Sequence, residues 1–196
     1  MTSKLTLDDV ADLREYERER EAFRRSIIDL KKRRRIGVGP FVTFVFENRD
    51  TIRFQIQEMA RAEKILTDEG IETELRIYNP LIPDAGELAA TMFLELTSDA
   101  QMREWFPKLV GIETMVEFRL AGGRAVRCVV DPEHAEQLTR DDTTAAVHYI
   151  HFSFSPDDVE AMASGPVEVA VTHYEYNHSV VLSSESVAEL LTDLRG

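Results

Sequence analysis

A single cysteine, Cys128, in a chain of 196 residues excludes any disulfide within the molecule and leaves the fold to its apolar core. The thiol lies between Arg127 and Val129 in a strand-like run, a setting that favours a buried or half-buried side chain over a redox role. Long apolar runs are also missing. Phe41 to Phe46 is typical of the longest, far short of the roughly 20 residues a membrane-crossing helix needs. The opening MTSKLTLDD lacks the basic-then-apolar order of a secretory signal, so the expected location is the cytoplasm. Positive charge is scarce, and a net charge of -13 argues against non-specific binding to nucleic acid or to an anionic membrane, since both need positive potential to displace counterions. The strong short motifs are absent: no glycine-rich phosphate loop after a strand, no paired CxxC, no HExxH and no GxSxG.

What is present suffices for an ordinary core. At 43% hydrophobic residues the chain reads as a basic N-terminal helical segment, residues 1–36, followed by a single α+β domain over 37–196. Charge is unevenly spread: from Arg14 to Arg35 there are ten Lys or Arg against five Asp or Glu, and the remainder holds 13 basic and 31 acidic residues. That contrast either orients a partner or a neighbouring subunit, or simply solvates a surface helix.

Thr6 or Asp8 can cap a helix in which Val10, Leu13, Tyr16, Phe23, Ile27 and Leu30 recur at threes and fours. Its last turn, Lys31-Lys32-Arg33-Arg34-Arg35, suits the negative end of the helix dipole, and Gly37, Gly39 and Pro40 stop it. FVTFVF, Phe41 to Phe46, is a buried strand. Thr51 to Glu69 then reads as a helix ended by Gly70, with Asp50 or Asn48 as its cap, Glu72 to Tyr78 as a strand, and NPLIPDAG as a loop. A repeated pattern follows over 87–130 and 144–183: strand, short helix, hairpin. Its members are Glu87 to Leu96, Ser98 to Leu109 and Thr114 to Val130, then Thr144 to Phe154, Ser155 to Ala163 and Val167 to Leu182. The expected architecture is thus a long N-terminal helix and two β-α-β-β-like units paired into one antiparallel sheet, closed by a C-terminal helix from Ser184 to Leu194.

Two clusters can carry chemistry. In ENRD, Glu47 to Asp50, Arg49 and Arg53 stand near a helix N-terminus, where guanidinium and backbone N–H groups can hold a carboxylate or phosphate. Asn48, Gln55 and Glu58 add polarity among apolar neighbours. The plain alternative is a cap, an Arg49–Glu47 pair and two solvated side chains. In the second unit His173, Glu175 and His178, with His148 or His151, form the best available set for iron or zinc. His148 and His151 point to opposite strand faces because their separation is odd, so without a bulge they cannot ligate one ion together. Trp105 and Phe106, ahead of Pro107, suit a plug for the core.

KLTLDDVADLREYERER, FRRSIIDLKKRRRIGVGP, FVFENRDTIRFQIQEMARAEKIL and YNPLIPDAGELAATMFLEL together resemble the bacterial family catalogued as domain of unknown function 3501, over essentially the whole chain. Where that pattern leads one to expect DHPAY, this chain has Thr172-His173-Tyr174-Glu175-Tyr176, keeping the histidine and the final tyrosine. Members are often encoded beside rubrerythrin-like di-iron proteins and iron-sulfur oxidoreductases. The resemblance therefore implies an accessory protein that docks to a redox partner in peroxide defence. A small-molecule or metal-binding protein or enzyme with its site at ENRD or the histidines is the alternative, and a homo-oligomer built through the N-terminal helix is a third expectation.

Overall fold

The computed structural model describes residues 4–130 and 142–196, and among them the chain forms six α-helices and two antiparallel sheets. The long N-terminal helix begins later than Thr6 or Asp8. Leu7–Asp9 forms a separate 3-10 turn, and the Asp12 side chain accepts from Glu15 N at 2.9 Å to open α1 (Leu13–Arg34). The basic last turn runs directly into β1 (Arg35–Val38), and Gly39-Pro40 turns the chain into β2 (Val42–Glu47). Gly39 has φ +73°, and a Cβ there would lie 2.5 Å from the Tyr176 hydroxyl and 2.6 Å from the His178 ring. That hydroxyl donates to Val38 O at 2.6 Å and accepts from Val42 N at 3.1 Å, so a residue from the far end of the chain pins this turn.

Two helices follow where one helix and a strand were expected. The Asn48 side chain accepts from Thr51 N at 3.0 Å and starts α2 (Arg49–Glu63), which ends at Lys64 in the left-handed region, φ 56°. Thr67 then caps α3 (Asp68–Tyr78), so Gly70 sits inside a first turn and Glu72 to Tyr78 is helical. Ile71, Leu75 and Tyr78 recur at threes and fours and pack toward Ile52 and Ile56 of α2; burial of that face selects the helix. The NPLIPDAG segment contains a 3-10 turn, Asn79–Leu81, that buries Leu81 and Ile82.

The remaining elements match expectation in type, most with shorter bounds, although the second short helix is shifted by one residue and the C-terminal helix runs one residue further: β3 (Glu87–Leu94), α4 (Asp99–Trp105), β4 (Val116–Leu120), β5 (Arg124–Arg127), β6 (Val129–Val130), β7 (Val147–Ser153), α5 (Pro156–Ser164), β8 (Glu168–His173), β9 (Tyr176–Val181) and α6 (Ser184–Arg195). The first hairpin turns at Ala121-Gly122-Gly123, with both glycines at φ 75°. The strands form two sheets, ordered β1-β2-β3-β7-β6 and β5-β4-β8-β9, where a single sheet was expected. The lead strands of the two β-α-β-β segments, β3 and β7, pair in the first sheet, and their hairpins pair through β4 and β8 in the second. Facing sheets bury both apolar surfaces, which one open sheet would leave wet.

The main core lies between the sheets. Phe44 and Phe46 of β2, Met92 of β3 and Phe152 of β7 meet Phe118 of β4, which is 5.6 Å from Phe46 and 4.9 Å from Phe152 between ring centroids. Helix α6 adds Leu190, Leu191 and Leu194, and Trp105 packs on the margin against Phe41, as its proximity to Pro107 led us to expect. Alternate residues of the same strands face the other way. There the N-terminal arm, α2, α3 and the 3-10 turn after it supply a second core of Leu5, Ile52, Ile56, Leu75, Leu81 and Ile82.

Candidate functional site

Between the outer face of the first sheet and this helical cover lies a cavity of about 240 Å³. Its floor is set by strand parity. Register places Thr91 opposite Tyr149 and Phe93 opposite Val147, while Glu47 ends β2 one diagonal step away. Thr91 Oγ1 donates to Glu47 Oε1 at 2.7 Å, and the Glu47 residue is only 7% exposed. Lys31 from α1, Ile52 and Gln55 from α2, and Tyr78 and Leu81 from the following segment form the walls. Burial, then the nearby Tyr78 phenol and the Glu47 carboxylate, push the Tyr149 phenol up, so it stays protonated across the neutral range. A carboxylate, a lysine, two phenols, a hydroxyl and an amide thus border one recess whose remaining walls are apolar. That is the composition of a small-molecule site.

The other ENRD residues are used elsewhere. Asn48 caps α2. Arg49 bonds to the Asp9 carboxylate, and Arg53 Nε donates to Asp9 O at 2.8 Å while its guanidinium sits 5.0 Å over the Phe23 ring. A backbone hydrogen bond at Thr6, then Arg49, holds the Asp9 carboxyl below its usual range. Glu58 accepts from Tyr16 at 2.7 Å and from both Nε and Nη2 of Arg20 at 2.7 and 2.9 Å, and the Arg20 bonds chiefly hold it below the usual carboxylate range. Gln57, fully buried, bonds both backbone groups of Ala11. Of the six residues singled out in the sequence, Glu47 and Gln55 reach the cavity, and Asn48, Arg49, Arg53 and Glu58 serve as cap and clamp; the plainer alternative holds for the cap alone, since Arg49 pairs with Asp9 rather than Glu47 and Glu58 is bonded by Tyr16 and Arg20 rather than solvated.

The histidines are not brought together. His148 points into the main core, 1% exposed, with Nε2 at 2.9 Å from Thr144 Oγ1 and 3.0 Å from Ala145 O. His173 is buried on β8, its Nε2 3.3 Å from Val110 O and its Nδ1 accepting from Glu175 N at 3.2 Å. His178 is exposed and rests 4.6 Å from the Tyr176 ring, while the Glu175 side chain lies at the exposed turn. Among the described residues no three His, Cys, Asp or Glu side chains are placed to hold a metal. On separate strands, Nε2 of His148 and Nε2 of His173 each face a backbone carbonyl. Cys128, half-buried, donates to Glu113 O at 3.2 Å, and burial pushes its thiol up to about 11, so no thiolate nucleophile is available at neutral pH.

Sequence reasoning missed Lys31, Tyr78, Thr91, Phe93 and Tyr149 in the cavity. Parity along β3 and β7 would have grouped Thr91, Phe93, Val147 and Tyr149, given the pairing of those strands. Nothing local marked Lys31 apart from its four basic neighbours.

Among the described residues no helix is long and apolar enough to cross a membrane. The family model described as "Protein of unknown function (DUF3501)" matches residues 4–194. Among solved structures, the chain is similar to a crystal structure described as a novel protein of unknown function from Burkholderia pseudomallei K96243. The two are 33% identical, with 98% of this chain and 100% of that chain covered and a TM-score of 0.90. No curated protein matches the chain.

Proposed function

The chain belongs to the DUF3501 family, and we propose that it is a small-molecule-binding protein whose ligand occupies the cavity between the outer face of the first sheet and α2. The observation that carries this reading is Glu47, a carboxylate 7% exposed that borders a recess of about 240 Å³. Among the described residues one hydroxyl, Thr91 Oγ1, donates to the carboxylate, at its Oε1, and the group borders the recess. A ligand donor in the recess would complete its shell.

Docking to a rubrerythrin-like redox protein, the role implied by the resemblance, would draw on the basic end of α1. That end is largely spent within the molecule. Lys32 pairs with Asp29, Arg33 and Arg34 with Glu189, Arg34 also with Asp193, and Arg35 with Glu95. The cavity reading is tested by ligand-observed NMR on the full chain with a chemically mixed fragment set. Fragments should bind, and Val147→Trp, which fills the recess from β7, should displace them while leaving the circular dichroism spectrum unchanged. Fragment binding that is indifferent to Val147→Trp would overturn the assignment.

A further inference from the structure

Resting on the small-molecule reading, we infer that the ligand is a small zwitterionic amino compound, with an ammonium group held at Glu47 and an acidic group held at Lys31. Two independent features of the recess favour opposite charges on one molecule. The first is Glu47 at the floor, whose Oε1 accepts from Thr91 and which shares the recess with the neutral donors Gln55, Tyr78 and Tyr149 and with one cation, Lys31. An ammonium group satisfies a carboxylate with several N–H donors in one place, and the aromatic side chains of Tyr78, Tyr149 and Phe93 offer additional surface that attracts a cation. The second is Lys31. Of the five consecutive cations that end α1, Lys32, Arg33, Arg34 and Arg35 each have a carboxylate partner within 4 Å. Lys31 has none among the described residues, and it lines this recess instead.

A simple anion would meet Glu47 at the floor. A simple amine would leave the Lys31 charge without a counterpart, and a neutral compound would give neither charge a counterpart. A zwitterion pairs each in a partly enclosed space, where charge-assisted hydrogen bonds are about twice as strong as neutral ones. Between its charged ends, its apolar part lies against Ile52, Leu81 and Phe93. Specificity follows from the same logic: a site that buries a charge rejects analogues lacking the opposite charge more strongly than it rejects a change in chain length.

The experiment is a titration series by isothermal calorimetry on the full chain. The probes are ω-amino acids from glycine to 6-aminohexanoate and phenylalanine, each matched with its amine, its carboxylic acid and its uncharged amide. At least one zwitterion should bind ten-fold or more tightly than its three matched analogues. Glu47→Gln should erase its advantage over the acid, and Lys31→Met its advantage over the amine. Glu47→Asp, which keeps the charge but withdraws it by one methylene, should weaken binding while preserving the preference. An amine, acid or amide that binds as tightly as the matched zwitterion, or a zwitterion preference that survives both Glu47→Gln and Lys31→Met, overturns the inference. If compounds of another charge type bind and are displaced by Val147→Trp, the zwitterion inference fails while the cavity reading stands. If nothing binds the recess, both fail.

Discussion

The two faces of the first sheet are built from the same three strands and do opposite work. The inner face, Phe44, Phe46, Met92 and Phe152 among others, is apolar and meets a second sheet of like character. The outer face alternates Thr43, Val45 and Glu47 on β2 with Ala89, Thr91 and Phe93 on β3 and Val147, Tyr149 and His151 on β7. Its cover is an assembly of N-terminal arm, α2 and α3 held in large part by side-chain to backbone hydrogen bonds: Asn79 to both backbone groups of Leu5, Gln57 to both of Ala11, and Arg53 to Asp9 O. One face of a strand can therefore secure the fold while the other is free to carry polar groups, because successive side chains alternate across the sheet. The stability of the first face allows the second to hold a charge beside a void.

Substitutions on either face would break or sharpen this contrast. The largest effect belongs to the inner face: Phe46→Ala should cost about 4 kcal/mol in urea denaturation, since a fully buried ring that contacts Phe118 leaves a cavity the paired sheets cannot close. A loss under about 1 kcal/mol would mean that the two faces are not so different. Next comes Arg34, 1% exposed, which ties α1 to Glu189 and Asp193 of α6. Arg34→Met should cost about 3 kcal/mol by leaving two carboxylates close together, and a second change, Asp193→Asn, should recover part of it. On the cover, Gln57→Leu should cost about 2 kcal/mol, and amide exchange should quicken over residues 4–11 far more than over β2. Equal quickening in both segments would show that arm and sheet open as one.

His148 supplies a pH test of the inner face. Burial, opposed by the Glu113 charge and the hydrogen bond with Ala145, leaves its imidazole below the ordinary value of 6.5. The unfolded chain therefore takes up the proton more readily than the folded one. The stabilising contribution is complete above about pH 6.5 and is lost as pH falls from there toward the depressed folded value. Urea midpoints should decline over that window, and His148→Leu should flatten the decline. The smallest effect is expected at Glu47: Glu47→Gln should change stability by less than about 1 kcal/mol while altering what the cavity binds.

Much of the fold was legible in the chain. Asn48 was one of two candidate caps, with Asp50, Ala121-Gly122-Gly123 was a recognisable turn, and the strand–helix–hairpin pattern after Glu87 survives in the structure with adjusted ends. The split into two helices between Lys64 and Thr67 was less visible, because Gly70 reads as a stop whereas Lys64 ends α2 in a left-handed conformation uncommon for its residue type. The candidate site was legible at one end only. Glu47 stood out as a charge beside an apolar strand, but Arg49, Arg53 and Glu58 were just as conspicuous and are consumed by Asp9, Phe23, Tyr16 and Arg20, residues of the N-terminal arm that no local pattern connects to them.

By itself the sequence determined the α+β class, the order and type of most elements, the need for a core without disulfides, and the residues that could bear charge. Tertiary structure decided which charges remain for function. Local patterns act over a few residues through period and capping. The partners that neutralise Arg33 and Arg34 lie on α6, and the strands that gather Thr91 and Tyr149 beside Glu47 are separated by tens of residues. Only the packing of the cover on the sheet left Lys31 and Glu47 at the same recess.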